Sequence, residues 1–291
     1  GHSPILYLYR VVQGVGYSIF VTFCYAYIAS HAPPGRRAEA LGVFGLSFFI
    51  PTSIGGVVGE YLIRWVGFGK YFIIGSAVAL LAAIPPFFIR DRMAESGLSP
   101  SRVRSVLSAP ILRTTASSLF FGATFGGIFT FLPVFLYRQG KDGIGLFLFL
   151  YSVAVIATRT AWRRVTDRAD RRKSSTVSFL LLAGGAALLI FAGETLFLAA
   201  ASLLTGLGHG FLFPSLSALT VDLAGRENSG FAMALFTGAF DLGLVFGAGF
   251  LGLVLEVGGF ATTFGACSLL ALAGCGCIPR GMRGKREVSG V

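Results

Sequence analysis

Three small sets of polar residues interrupt otherwise apolar sequence. Arg10, Gln13 and Tyr17, with Gly14 between them, are spaced i, i+3 and i+7 and so share one face of a helix. Thr205 and His209, spaced i, i+4, form a second such face, and Asp241 stands alone in a third segment. A guanidinium, an amide and a phenol can hold a polar or anionic group. An imidazole and a carboxylate can take up and release a proton, and ionisable groups inside membrane segments mark substrate or ion paths. An arginine facing lipid costs at least about 2.5 kcal/mol, so Arg10 either looks into protein or a wet cavity or snorkels to the headgroups. His209 reads either as a satisfied structural group or as part of a cavity wall. Asp241 lies about 11 residues into its segment, which at a rise of 1.5 Å per residue is near mid-membrane, where a carboxylate can carry a proton.

The elements that must position these groups are long and greasy. The chain has 291 residues, 54% of them hydrophobic and 13% charged, too apolar to fold in water without large exposed patches. About nine segments are long enough to cross a hydrocarbon core as helices, at roughly 20 residues each. They lie near 5–30, 38–64, 71–89, 112–137, 144–159, 176–192, 196–223, 230–255 and 260–278. The runs are continuously apolar, without the period-two alternation of a membrane barrel, so the expected class is all-α integral membrane. No cleavable signal peptide is expected among them.

A shift of 192 positions lays 202–264 on 10–72 without a gap. About 11 of the paired residues are identical, among them Gly206 on Gly14, Gly208 on Gly16, Gly247 on Gly55 and Gly259-Phe260 on Gly67-Phe68. Thr205 then falls on Gln13 and His209 on Tyr17, so the two polar faces coincide across the repeat. Asp241 falls on Phe49 and belongs to one copy only. The expectation is two copies of one membrane unit.

The net charge of +11 is a topology signal and argues against a nucleic-acid partner. Of the 24 basic residues, 19 lie in alternate loops (36–37, 90–113, 159–173, 226 and 280–286), four lie in the others, and Arg10 sits within a span. By the positive-inside rule the 19 face the cytoplasm, the C-terminus with them. The polar stretch from Arg90 to Arg113 reads as a linker between two bundles.

Two further stretches bear on movement. Pro51 can kink its helix, and Gly55, Gly56 and Gly59 give it a small face for close packing on a neighbour; Glu60, at the outer end, reads as solvated. In the loop after Trp162, Asp167 with Arg168, Arg171 and Arg172 sets an acid in a basic run, which can exchange ion-pair partners at helix ends or simply anchor topology. The fourth span carries Phe120, Phe121, Phe125, Phe129 and Phe131, either packing or a lining suited to an amphipathic substrate. Cys275 and Cys277 lack metal or redox spacing, and neither a His/Glu metal cluster nor a nucleophile-base set is present, so no metal, cofactor or enzymatic activity is expected.

These residues resemble the major facilitator superfamily. Arg10-x-x-Gln13-Gly14 is similar to the motif of its fourth helix, and Pro51 to Gly59 to the glycine-proline motif of the fifth helix in its antiporters. Asp167-Arg168-x-x-Arg171-Arg172-Lys173 looks like its gating loop between helices eight and nine, although Arg163 and Asp170 stand where that loop has glycines. The resemblance implies twelve helices in two bundles, of which three helices of the first (1–89), a linker (90–111), the whole second bundle (112–279) and a cytoplasmic tail (280–291) are expected here. The repeat then places roughly 80–100 residues, three helices, ahead of Gly1. It further implies a proton-coupled secondary transporter of the bacterial inner membrane, a monomer, exporting a small amphipathic molecule by alternating access. Arg10, Gln13, Tyr17, Thr205, His209 and Asp241 would lie on its path. Uptake of a sugar or organic anion at Arg10, and a non-transporting fragment, are the alternatives.

Overall fold

The computed structural model describes residues 4–31, 37–88, 107–161, 170–225 and 228–279. Among them are seven α-helices and no strand: α1 (Pro4–His31), α2 (Arg37–Ala82), α3 (Ala109–Arg138), α4 (Ile144–Ala161), α5 (Arg171–Leu188), α6 (Thr195–Ala224) and α7 (Ser229–Gly276). Short 3-10 turns, Pro85–Phe88 and Leu189–Phe191, follow α2 and α5. Five stretches are long and apolar enough to cross a membrane by length and composition, and Ile5–Val21 and Ile144–Arg159 are shorter apolar helices. The protein is an all-α, multi-pass membrane protein.

Two helices are too long to be single spans. The 48 residues of α7 would run about 72 Å at 1.5 Å per residue, more than twice a hydrocarbon core of about 30 Å. Each is broken at one glycine, α2 at Gly67 (φ 78°, ψ 165°) and α7 at Gly259 (φ 73°, ψ −174°). That combination of positive φ and extended ψ is open to glycine and strained for any residue with a Cβ. The two glycines are 192 positions apart, so the repeat extends to the backbone. The same shift carries α1 onto 196–223, within α6, and α2 onto 229–274, within α7.

The chain divides into two compact units, Gly1–Pro51 with Ile63–Gly97, and Thr52–Leu62 with Leu98–Val291. In the first, α1 and most of α2 present largely exposed apolar side chains. In the second, α3 packs along α7, α6 along α5, and α4 against α6. The α3–α7 seam is made by glycine on backbone. A methyl at Gly122 or Gly126 would overlap the carbonyl oxygens of Phe240 or Leu244, and one at Gly243 or Gly247 those of Leu119 or Ala123. Helices gain little from the hydrophobic effect in lipid, so such close approach, with buried hydroxyls bonding across it, is what holds them. Across the α3–α7 seam Ser118 donates to Phe236 O (2.8 Å) and Ser117 to Gly274 O (3.0 Å), and the half-buried Ser268 of α7 donates to Ala183 O of α5 (2.9 Å).

Candidate functional site

His209 lies in the middle of α6, 6% exposed, and Tyr151 of α4 is 1% exposed. The Tyr151 hydroxyl and His209 Nδ1 are 2.6 Å apart, a hydrogen bond whose direction depends on the imidazole tautomer. Glycines set this depth: Gly206, one turn before His209 on α6, lies against the Tyr151 backbone, and Gly210 fits against the Thr158 hydroxyl. Aromatic rings close the surroundings. Phe121 and Phe125 of α3 meet the imidazole at centroid distances of 5.1 and 5.0 Å, both edge-on. Phe129 packs on Tyr151 at 5.2 Å, and Phe240 of α7 on Phe121 at 5.0 Å. Arg159 lies two turns along α4 from Tyr151. The phenylalanine-rich stretch of α3 is therefore the wall of a buried polar pair.

Thr205 is buried one turn from His209 but is occupied elsewhere. Its hydroxyl donates back to Ala201 O (2.7 Å) and Ser202 O (3.1 Å), and its methyl stands over Gly185 of α5. The two residues share a helix side, and the structure brings them to different neighbours. Asp241 follows Phe240 directly and is exposed on α7, in contrast to the buried pair. Gly249, Gly252 and Glu256 lie 8, 11 and 15 residues further on the same side of that helix. They line an open cavity of about 670 Å³ shared with Thr130, Phe131 and Arg138 of α3.

In the first unit, Arg10 and Gln13 are joined, Arg10 Nη1 donating to Gln13 Oε1 at 2.9 Å, and Tyr17 is exposed on the same helix. Among the motion-related residues, Pro51 is exposed within α2. Close packing there falls at Gly56, where a methyl would stand 2.9 Å from Leu148 Cδ1 and 3.6 Å from Gly145 Cα. Gly59 is buried, whereas a methyl at Gly55 would meet no atom within 4 Å among the described residues. One residue turns a helix by about 100°, so the packed side runs through Gly56 and Glu60 and leaves Gly55 beside it. Asp167 and Arg168 lie outside the described residues. Arg171 donates to Ala218 O at 3.0 Å and pairs with Asp222 near the C-terminal end of α6. A cation there also meets the negative end of the helix dipole. Arg172 contributes its backbone N–H, at 3.0 Å, to the Asp170 carboxylate that caps α5. A carboxylate able to cap is what a glycine at 170 could not supply.

Tyr151, Asp222 and Glu60 are the partners that sequence reading misses. Tyr151 sits in an apolar run where aromatic packing is the ordinary reading. Asp222 lies 51 positions from Arg171, and only a paired helix end links the two.

The family profile described as Major Facilitator Superfamily matches residues 1–143 and 138–288. Among curated proteins, the "Uncharacterized MFS-type transporter YhhS" of Escherichia coli (strain K12) is 28% identical over 273 residues, 92% of this chain and 66% of that protein. The protein of the same name from Salmonella enteritidis PT4 (strain P125109) is 29% identical over 236 residues, 79% of this chain and 56% of that protein. The chain thus spans at most about two thirds of these relatives. Among solved structures, the human organic anion transporter MFSD10 (TETRAN) matches with a TM-score of 0.64 at 17% identity, over 88% of this chain and 66% of that one. A bacterial homologue of the human lysosomal transporter Spinster, inward-facing and unoccupied, matches with a TM-score of 0.53 at 12% identity, over 88% and 69%. At these identities the structural likeness carries the fold.

Proposed function

Because this chain belongs to the major facilitator superfamily, we propose that it serves secondary active transport: proton-coupled efflux of a small amphipathic molecule by alternating access. The observation that carries the coupling is Asp241, an exposed carboxylate inside a 46-residue apolar stretch, on the helix whose later turns, from Ala248 to Glu256, line an open cavity. A carboxylate so placed can hold a proton or a cationic group in turn, which is the exchange an antiporter needs. The aromatic wall of Phe121, Phe125, Phe129 and Phe240 favours a substrate with an apolar body, and the Tyr151–His209 pair gives it a polar partner. Arg10, Gln13 and Tyr17, on α1, are candidates for substrate contact by their polar types. The Arg171–Asp222 pair is of the kind that can part and re-form between states.

The bacterial relatives support an inner-membrane location, and the loop charges support a cytoplasmic C-terminus. The reading is of a monomeric transporter with no cofactor and no enzymatic chemistry. The test is vesicle transport by the full-length protein with an imposed pH gradient and a fluorescent lipophilic probe. Efflux that collapses with the gradient is expected; uptake in its place would overturn the direction. Replacement of Arg10 by Ala separates the substrate classes. Loss of binding confined to organic acids, with neutral compounds spared, would move the assignment to anion uptake.

A further inference from the structure

Glu60 does not project into solvent: it is half-buried, and its carboxylate Oε1 accepts a hydrogen bond from the Gly145 N–H at 2.9 Å. Gly145 is the second residue of α4, in the first turn, where backbone N–H groups have no partner within the helix. An anion there satisfies one of those donors and meets the positive end of the helix dipole. The seat is shaped for it. A methyl at Gly145 would stand 2.9 Å from Glu60 Oε2 and 3.2 Å from its Cδ, so only glycine lets the carboxylate come this close. One turn earlier on the same side of α2, Gly56 lies against Leu148. Residues 56 and 60 thus grip 145 and 148.

This grip lies in an unusual part of the chain. Residues 52–62 belong to the second compact unit, while the chain on either side of them, 1–51 and 63–97, belongs to the first. The part of α2 before its break at Gly67 therefore carries residues of both units, and residues 52–62 reach α4 through these contacts. The repeat supplies no second copy, because position 60 maps to Gly252 and position 56 to Ala248.

We propose that Glu60 is a latch: with its carboxylate seated on the first turn of α4, it holds segment 52–62 of α2 against that helix, and its release lets the segment leave α4. This goes beyond the transport reading and needs neither a substrate nor a gradient for its test, so the two can fail separately. Full-length protein in lipid nanodiscs, as wild type, E60Q and E60A, is compared by hydrogen–deuterium exchange over residues 142–149. The same three backgrounds carrying L148C are labelled with a membrane-impermeant maleimide, with proteins lacking L148C as the control for native cysteines. The expected result is faster exchange of the α4 first turn and about two- to five-fold faster labelling in E60A, with E60Q between it and wild type. Exchange over 178–186 in α5 should be unchanged, showing that the fold is intact. If E60A does not fold, E60Q against E60D decides, the shorter carboxylate keeping more protection than the neutral amide. Exchange and labelling equal to wild type overturn the proposal. So does faster exchange with unchanged labelling, which would make Glu60 a static cap.

Discussion

At the scale of residues, the buried pair makes opposite demands of its two members. Replacing His209 by Ala removes the hydrogen bond to the Tyr151 hydroxyl, which lies among Phe125, Phe129 and Phe147, and the imidazole's packing on Phe121 and Phe125. The lost bond and packing together should cost about 1–3 kcal/mol or more. Tyr151→Phe removes the same hydrogen bond and keeps the rings, a smaller loss of roughly 1 kcal/mol. Thermal unfolding in detergent should therefore rank wild type above Y151F above H209A; equal midpoints would deny the pair a structural role. Asp241, exposed on its helix, should behave differently. Asp241→Asn is expected to leave the melting midpoint within about 0.5 kcal/mol equivalent of wild type. It should abolish the dependence of transport on pH before it abolishes substrate binding, and unchanged pH dependence would reduce Asp241 to a packing residue. Arg171 and Asp222 form a partly exposed ion pair, at 41% and 55% side-chain exposure, which solvent weakens to about 0–1 kcal/mol. Their effect belongs to the transport cycle: R171D and D222R should each slow transport, and the double swap should restore part of it. Failure of that restoration, with all three variants folded, would exclude exchange at this pair.

At the scale of elements, glycine decides where helices meet and where they stop. Gly122→Ala or Gly243→Ala would push a methyl into the backbone of the facing helix. The expected cost is about 1–3 kcal/mol or more, because a backbone cannot swing aside as a side-chain tip can. Gly249→Ala, with open space at its Cβ, is the matched control and should be near neutral in the same thermal-shift assay. The seam and the breaks differ in how far the sequence discloses them. The spans are legible because 20 or so apolar residues in a row have few other uses. Gly67 and Gly259 are legible through the repeat, since a shared glycine-phenylalanine pair at equal spacing points to a shared backbone. The spacing of Gly55 and Gly59 suggests a packing face, and in the structure Gly56 lies against Leu148 while Gly55 beside it has no neighbour within 4 Å among the described residues. Spacing alone names a helix side to within a residue, and the side of contact is fixed by the neighbour. Tyr151, Asp222 and Glu60 are hidden for a related reason: each acquires its role from a residue dozens of positions away.

At the scale of the molecule, two units share one helical plan, and their differences are where function must lie. The repeat aligns α1 with α6 and α2 with α7, break included. Asp241, opposite Phe49, and Glu60, opposite Gly252, stand outside it. Shared features build the scaffold, and the proposed coupling and the proposed latch both rest on unshared carboxylates. Of the candidate path, the sequence alone points to Arg10, Gln13, Tyr17, Thr205, His209 and Asp241, while the wall around His209 needs α3, α4 and α7 to be assembled. The most direct test is a proton-coupled efflux assay on the full-length protein in sealed vesicles, wild type against D241N. An imposed pH gradient is reported by one dye and a lipophilic fluorescent substrate by another. Wild type should show substrate efflux coupled to proton entry, and D241N should lose that coupling with substrate still bound. Substrate movement in wild type that ignores the pH gradient, or coupling unchanged in D241N, would contradict it.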